Sequence, residues 1–130
     1  MITDNLERKA VEVMKSLLIT LAILSCLLNI YANDWTDNQI VNAIYYAEGG
    51  SKAVKPYGIL SVPCETKEEC RRICLNTIRN QRVRHAQHSC GLTYLECLAK
   101  RYAPVGVTND PTNLNKNWLK NVLYYLNKGE

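Results

Sequence analysis

Residues 40–62 read IVNAIYYAEGGSKAVKPYGILSV, and this stretch decides how the chain is expected to fold. The apolar residues of its first half recur every three to four positions, as in the buried stripe of a helix; they are Ile40, Val41, Ile44 and Tyr45. Thr36 or Asp37 can cap the start of that helix, and Gly49 with Gly50 can end it. The stretch therefore predicts a short amphipathic helix that ends beside Glu48.

Glu48 is placed where a catalyst would need a carboxylic acid. A carboxylate in the last turn of a helix faces the negative end of the helix dipole, and burial beside Tyr45 and Tyr57 would further disfavour its charge. Both effects raise the pKa of the Glu48 carboxyl. A glycosidase needs such an acid to protonate the departing sugar oxygen near neutral pH. We therefore predict that Glu48 is the catalytic residue.

Further short segments follow the helix end in a fixed order. They are Glu48-Gly49-Gly50, Tyr57-Gly58-Ile59-Leu60-Ser61, Leu98-Ala99-Lys100-Arg101-Tyr102-Ala103-Pro104, Asp110-Pro111-Thr112-Asn113-Leu114-Asn115, and a helix with Trp118 and Val122. In this order the segments resemble the lysozyme-like superfamily of lytic transglycosylases and phage muramidases. The resemblance covers most of the chain after Asn33.

The resemblance implies roles for individual residues. In that superfamily the glutamate that ends the helix is the catalytic acid, which corresponds to Glu48. A Gly-Leu-Met-Gln-like turn comes next in the family, so Gly58 to Ser61 would occupy it, with Ser61 at the glutamine position. Tyr57, Ser61 and Tyr102 are the candidates for binding substrate, through stacking or hydroxyl hydrogen bonds to sugar. Residues 33–130 would form the lysozyme-like catalytic domain.

The implied activity is cleavage of the β-1,4 bond between N-acetylmuramic acid (MurNAc) and N-acetylglucosamine (GlcNAc) in peptidoglycan, without a cofactor. Ordinary glycosidases use two carboxylates. Lytic transglycosylases use one glutamate, which protonates the bond and then acts as base while the sugar's own hydroxyl closes an anhydro ring. Hydrolysis by a muramidase stays open, with water activated by Glu48 or by a second carboxylate from among Asp34, Asp37, Glu65 and Asp110.

Two other classes of function also fit the sequence. Glu48 can be an ordinary helix-end residue before a glycine cap, and Tyr57 and Tyr102 can be core aromatics. The chain would then be a catalytically inactive glycan-binding module, or a small secreted effector or inhibitor, stapled by disulfides, that binds a protein partner. Cleavage of peptidoglycan is expected from the enzyme and from neither of the two alternatives.

The amino-terminal residues have the pattern of an export signal. From Met14 the chain has a basic start at Lys15, an apolar middle and the small residue Ala32 at its end, which predicts a secretory signal peptide over residues 1–32. Translation starting at Met14 would remove three acidic residues that precede this pattern. Lipid attachment at Cys26 is a weaker alternative, and the apolar stretch is short for a stable membrane span. We expect the mature chain in the periplasm or outside the cell.

The charge of the chain limits its partners. The formal net charge is +4 at pH 7, and a basic exported protein suits an anionic polymer. We expect peptidoglycan glycan strands, with their peptide carboxylates, as the partner, and not nucleic acid, although nucleic acid would attract the same charge. By analogy, a protein of an envelope-spanning machine or an inhibitor is a further partner class.

Five cysteines of the exported part are disulfide candidates: Cys64, Cys70, Cys74, Cys90 and Cys97. An odd number leaves one thiol free or paired between chains, and the sequence does not give the connectivity. Cys70 and Cys74 lie one helical turn apart, so we expect both to bond outward and not to each other. The spacing of His85 and His88 with Cys90 and Cys97 matches no standard zinc pattern, so no metal is predicted.

Three more helices complete the predicted fold. Thr66 and Thr93 each begin a capping-box sequence, and a last helix is predicted from about Leu114 to Asn127, with Leu114 and Trp118 facing inward and Gly129 as its stop. No segment alternates with a two-residue period. We predict a compact all-α domain, with at most one short hairpin near Tyr57 to Val62, as in lysozyme-like folds.

Overall fold

A computed structural model describes residues 2–31, 35–88 and 90–130. Within these ranges the chain forms five α-helices, which are α1 (Ile2–Tyr31), α2 (Asp37–Ala47), α3 (Lys67–Gln87), α4 (Tyr94–Tyr102) and α5 (Trp118–Lys128). Three short 3-10 turns lie between them, at Gly50–Lys52, Pro56–Gly58 and Leu114–Asn117. No β-strand occurs in the described ranges. The predicted all-α fold class is therefore confirmed.

The hairpin predicted between Tyr57 and Val62 is wrong. Pro56 begins a 3-10 turn there, and Tyr57 and Gly58 both have left-handed backbone conformations, with φ values of 61° and 64°. Two consecutive residues at positive φ curl the chain, whereas a strand needs extended backbone. The segment consequently forms a tight turn followed by irregular chain.

The chain divides into two units, residues 1–34 and residues 35–130. The first unit holds the single helix α1. No helix in the described part of the chain combines the length and apolarity that crossing a membrane requires. The signal peptide stays a prediction, because Ala32, the proposed cleavage position, lies outside the described residues.

Helix α2 forms for the reasons that its sequence indicates. The Thr36 hydroxyl accepts a hydrogen bond from the Gln39 backbone N–H, and the Gln39 side chain accepts one from the Thr36 backbone N–H at 2.8 Å. This reciprocal pair satisfies donors that the first helical turn leaves free. At the other end, Gly49 turns the chain with φ 104° directly after Glu48. Glu48 is thus the last residue that the helix geometry positions.

The core of the second unit surrounds α2, which packs against α5 and α3, while α3 packs against α4. Its fully buried side chains come from all four helices and from the 3-10 turn at Pro56–Gly58. They include Ile40, Val41, Ile44, Tyr57, Ile78, Leu98 and Val122. Burying each large aliphatic side chain contributes about 1.5–3 kcal/mol.

The remaining helix ends agree with the predictions except at two places. Thr93 and Glu96 form a full capping box, and Gly129 ends α5 in a left-handed conformation. At α3 the Thr66 hydroxyl accepts from the Glu69 N–H, but the Glu69 carboxylate accepts from the Glu65 N–H, so only half of the box forms. Leu114, predicted to face inward, is 64% exposed because a separate 3-10 turn carries it.

Two disulfides close short loops in this unit, Cys64–Cys70 and Cys90–Cys97. Cys70 bonds outward as expected, whereas the expectation that Cys74 also does so is wrong. Cys74 is a buried free thiol, because the four other candidates bond to each other and its sulfur lies against the Tyr102 hydroxyl at 3.5 Å. The two bonds indicate an oxidising, extracytoplasmic environment.

Candidate active site

The Glu48 side chain leaves the end of α2 and meets the start of α5. The Trp118 indole N–H donates a hydrogen bond to Glu48 Oε1, with 2.8 Å between Nε1 and Oε1. Trp118 is buried and sits in the first turn of α5, so packing fixes the position of the donor. The contact joins residues that are 70 positions apart in the chain. One oxygen of the Glu48 carboxyl is therefore held in place by the core.

The environment of Glu48 favours the protonated acid. Burial raises the pKa of the Glu48 carboxyl above its usual value, and the hydrogen bond from Trp118 offsets part of that rise because it stabilises the carboxylate. Desolvation penalises the charged form of any carboxyl. The direction agrees with the expectation from the sequence, and the larger cause is burial. Glu48 is thus suited to keep a proton at higher pH than an exposed glutamate.

Gly58 forms a wall against the Glu48 carboxyl. A Cβ atom at Gly58 would lie 2.4 Å from Glu48 Oε2 and 2.5 Å from its carboxyl carbon. Any side chain at position 58 would therefore displace the carboxyl. Gly58 also has φ 64°, which side-chain-bearing residues adopt at an energetic cost. Both requirements select glycine at this position.

The turn that carries Gly58 is held by Tyr102. The Tyr102 hydroxyl donates a hydrogen bond to the Tyr57 carbonyl oxygen. Its ring stacks on Trp118, with 5.1 Å between the ring centroids and 28° between the planes. Burial raises the pKa of the Tyr102 hydroxyl, so the group stays protonated and able to donate. Tyr102 consequently contacts the residues on both sides of the Glu48 carboxyl.

Beneath Tyr102 lies the free thiol of Cys74. The thiol is 3.5 Å from the Tyr102 hydroxyl, and burial raises its pKa to about 12. A thiol with such a pKa is protonated at neutral pH and is a poor nucleophile. Cys74 therefore belongs to the packing beneath the site and not to its chemistry.

Glu48 opens onto a cleft of about 600 Å³. The walls come from the chain between α2 and α3, from α3, and from the end of α4 with the loop after it. The lining residues are Glu48, Ala53, Val54, Lys55, Gly58, Ile59, Leu60, Ser61, Val62, Ile73, Thr77, Arg101, Tyr102, Ala103, Pro104, Asn109 and Asn115. The volume lies in the range of small-ligand sites.

The structure separates the three predicted sugar-binding residues. Ser61 is exposed on the wall of the cleft, and Tyr102 lines it from a half-buried position. Tyr57 is 2% exposed and does not line the cleft, since its ring packs in the core at 5.2 Å from the Tyr45 ring. The Tyr57 side chain is therefore not accessible to a sugar in this structure, and its carbonyl oxygen instead anchors Tyr102.

The proposed second carboxylates lie elsewhere. Asp37 pairs with Arg79 and Arg82 at the start of α2, and Glu65 is exposed. The Asp110 carboxylate is buried and accepts hydrogen bonds from the Asn115 N–H. Asp34 lies outside the described residues. Of the carboxylates in the described ranges, Glu48 alone lines the cleft.

Several residues in or next to the cleft were not predicted as site residues from the sequence. Trp118 was predicted only as a core residue of the last helix, because its contact with Glu48 depends on how two distant helices pack. Lys55 and Arg101 place two cations on the cleft, and the Asn115 side chain donates to the Pro104 carbonyl oxygen at 2.8 Å. Lys55 and Asn115 lie outside the α-helices, where no periodic signal in the sequence marks a residue as part of a site.

The donor set for a metal ion is not present in the described ranges. No group of three or more His, Cys, Asp or Glu side chains there could hold a metal ion. His85 contacts the Leu92 carbonyl oxygen at 3.0 Å, while Cys90 and Cys97 are joined to each other. The polar groups that line the cleft include a carboxyl, two cations and side-chain amides.

The class of protein that these features define is a small all-α domain with two disulfides and a cleft over one partly buried carboxyl group. No protein-family model, curated protein or solved structure matches the chain.

Proposed function

We propose that this chain is an exported peptidoglycan-cleaving enzyme of lysozyme-like character, which breaks the MurNAc–GlcNAc β-1,4 bond with Glu48 as its acid. The single observation that carries the proposal is the Glu48 carboxyl itself. It is held by Trp118, faced by a glycine that leaves room for it, kept toward its protonated form by burial, and open to a cleft. A general acid for glycoside cleavage needs this combination.

The two carboxyl oxygens of Glu48 have different surroundings. Oε1 accepts the Trp118 N–H, which leaves Oε2 as the oxygen that carries the acidic proton. A proton on Oε2 can pass to the glycosidic oxygen of a strand in the cleft, and the carboxylate that remains is stabilised by the indole N–H. The carboxylate then has the charge it needs to act as a base in the second half of the reaction.

The second half of the reaction is proposed to be ring closure by the sugar's own hydroxyl. Inverting and retaining glycosidases place a second carboxylate about 5–10 Å from the acid. Among the described residues no second carboxylate lines this cleft. An intramolecular hydroxyl needs no separate nucleophile, so Glu48 can take its proton and complete an anhydro-muramyl product. We therefore propose the lytic transglycosylase reaction, with hydrolysis by a muramidase as the alternative.

The surroundings of the cleft suit an anionic glycan outside the cytoplasm. The charged residues that line the cleft are two cations, Lys55 and Arg101, and one carboxyl, Glu48. The two cations attract a strand that carries peptide carboxylates. Ser61, Asn109 and Asn115 supply hydroxyl and amide groups of the kind that bind sugars. The proposed site of action is the wall in the periplasm or outside the cell, where the two disulfides persist.

The test is digestion of purified peptidoglycan by the oxidised protein and by its Glu48→Gln variant, with the released fragments analysed by mass spectrometry. Glutamine keeps the shape of the side chain and can still accept the Trp118 N–H, but it cannot supply the proton. We expect anhydro-muramyl fragments from the wild type and none from the variant.

Each of the other outcomes of the digestion would contradict this proposal and indicate a different function. Reducing-end fragments from the wild type alone would identify a muramidase. Equal release by both proteins would remove Glu48 as the catalyst. If neither folded protein released fragments, binding to intact strands would indicate a glycan-binding module, and a stoichiometric protein complex without glycan affinity would indicate an effector or inhibitor.

A further inference from the structure

A second, shallower groove of about 470 Å³ lies beside the cleft, between the end of α3 and α4. Its lining residues are Gln81, Arg84, Gln87, His88, Cys90, Cys97, Lys100 and Arg101. Three of these side chains are cations, two are amides, and the Cys90–Cys97 disulfide lies among them. We call this surface the basic groove.

No carboxylate lines the basic groove. Arg84, Lys100 and Arg101 form no ion pair with any of the described residues. Glu96 lies one turn before Lys100 on α4, but its carboxylate accepts the hydroxyl and the backbone N–H of Thr93 at 2.7 and 2.8 Å. Lys100 lowers the pKa of Glu96 through its charge, but no carboxylate of the described residues forms an ion pair with a cation of the groove.

Gln81 gives the groove a buried polar group as well. The residue is 7% exposed, and its side-chain amide has no hydrogen-bond partner among the described residues. No fully buried polar side-chain atom in those ranges lacks a partner, so the Gln81 amide must open to solvent, and the groove is the surface that it lines. A bound ligand can therefore hydrogen-bond to the Gln81 amide in place of water.

The basic groove adjoins the cleft through one residue. Arg101 lines both surfaces, so a chain branching from a strand in the cleft can reach the groove across its guanidinium. Ionic and amide donors suit carboxylate groups and peptide bonds. We propose that the basic groove binds the acidic stem peptide of the glycan strand, with Arg84 and Lys100 contacting its carboxylates and Gln81 its backbone. The choice of this ligand rests on the proposed function.

The test measures binding without cleavage. The full chain carrying Glu48→Gln is titrated with the sugar-free stem tetrapeptide by calorimetry, and the contact surface is mapped by NMR shift changes. We expect binding that weakens about tenfold in Arg84→Gln and in Lys100→Gln, as for charge-assisted contacts. Gln81→Leu, which keeps the volume but removes the amide, should weaken binding severalfold. The same peptide with its carboxylates amidated should not bind.

Two exposed cations outside both surfaces provide matched controls. Arg72→Gln and Lys120→Gln remove the same charges from other faces of α3 and α5 and should leave the affinity unchanged. Equal weakening by the controls would mean general charge attraction and would overturn the proposal. It would also fail if the peptide did not bind, or if a polyphosphate displaced it from the groove at lower concentration than free peptide does.

The two proposals fail separately in this design. Peptide binding at the groove by a protein that releases no glycan fragments would contradict the proposed activity and leave the groove assignment standing. Cleavage by a protein that does not bind the peptide would contradict the groove assignment alone.

Discussion

At the scale of single residues, the Glu48 carboxyl leaves no room for a side chain at Gly58. In Gly58→Ala the new Cβ would lie 2.4 Å from Glu48 Oε2, and the carboxyl end is the part that can move away. We expect the displaced carboxyl to lose the Trp118 hydrogen bond and cleavage to fall about a hundredfold, as for acids misplaced by about 1 Å. The initial rate of fragment release measures this loss.

Gly106 provides the control for backbone strain. It has φ 77°, similar to the 64° of Gly58, but nothing lies within 4 Å of the position that its Cβ would take. Both alanine variants should lose about 1–2 kcal/mol of unfolding free energy from the left-handed conformation. Only Gly58→Ala should lose activity, and an equal loss in Gly106→Ala would mean that strain, not the carboxyl, is responsible.

The hydrogen bond from the Trp118 indole should affect how the cleavage rate depends on pH. Its hydrogen bond lowers the pKa of Glu48, in opposition to burial. Trp118→Phe removes the donor and keeps an aromatic ring, so the pKa of Glu48 should rise. Because a general acid must start protonated, the alkaline limb of the pH–rate profile should move to higher pH. Trp35→Phe should leave the limb in place, and an unmoved limb in Trp118→Phe would contradict the assignment.

Glu48 should also make stability depend on pH. Its folded-state pKa is raised, so between its unfolded and folded pKa values the folded state binds more protons, and stability falls as the pH rises. Glu48→Gln has no charge to disfavour. We expect the variant to match the wild type in melting temperature near pH 4 and to exceed it at pH 7. Equal melting temperatures at both pH values would show that the carboxyl is not buried as described.

The sequence predicts the parts of the site that depend on neighbouring residues, and it does not predict the parts that depend on contacts between distant helices. The positions of Glu48 at the end of α2 and of Gly58 in a turn could be predicted, because a helix stop and a glycine turn leave signals within a few residues. Trp118 and Arg101 come to the site through packing of α5 and α4 against α2 and α3, and no local pattern encodes that. Tyr57 lies in the core and does not line the cleft, and its sequence does not show this because an aromatic beside a glycine turn has the same signal in either place.

At the scale of the element, the start of α4 deserves a test because this helix carries Tyr102 into the cleft and Lys100 into the basic groove. Thr93→Ala removes a hydroxyl that caps the helix and should cost about 1 kcal/mol of unfolding free energy. Hydrogen bonds from Thr93 lower the pKa of Glu96, so this stabilisation is present above the unfolded pKa of glutamate and is lost as the pH falls through the folded one.

The measurement for this element is urea unfolding at pH 7 and pH 3. The cost of Thr93→Ala should shrink at the lower pH. Thr66→Ala on α3 is the comparison, because Glu69 does not return a hydrogen bond to Thr66. A Thr93→Ala cost that does not change with pH would contradict the reciprocal contact.

The helices themselves were largely predictable, and the chain between them was not. Thr36, Thr93 and Gly129 carry capping chemistry that acts within one turn, so the starts of α2 and α4 and the end of α5 follow from nearby residues. The start of α5 does not, because Leu114 lies in a separate 3-10 turn. The hairpin failed because Tyr57 adopts a positive φ that tyrosine rarely takes alone. In that conformation the Tyr57 carbonyl oxygen accepts a hydrogen bond from the Tyr102 hydroxyl, a contact 45 residues along the chain that no local pattern predicts.

At the scale of the whole molecule, each of the two disulfides constrains a different surface, one the cleft and the other the basic groove. Cys64–Cys70 ties the end of the cleft wall, residues 59–62, to the first turn of α3. Cys90–Cys97 closes the chain between α3 and α4 and lines the basic groove. Each closes a loop of only 6 or 7 residues, which corresponds to about 2 kcal/mol of stabilisation in the chain-entropy account.

Replacing each pair by alanine should therefore separate stability from function. The variants Cys64→Ala/Cys70→Ala and Cys90→Ala/Cys97→Ala should each lose about 2 kcal/mol of unfolding free energy, a large share of the 5–15 kcal/mol typical of a domain. The first should lose most of its cleavage activity because its cleft wall is released, and the second should mainly lose affinity for the stem peptide. Urea unfolding, fragment release and calorimetry measure the three quantities. If the second variant lost cleavage as strongly as the first, the two surfaces would be one functional unit, because loosening the groove would then disturb Glu48 through the end of α4.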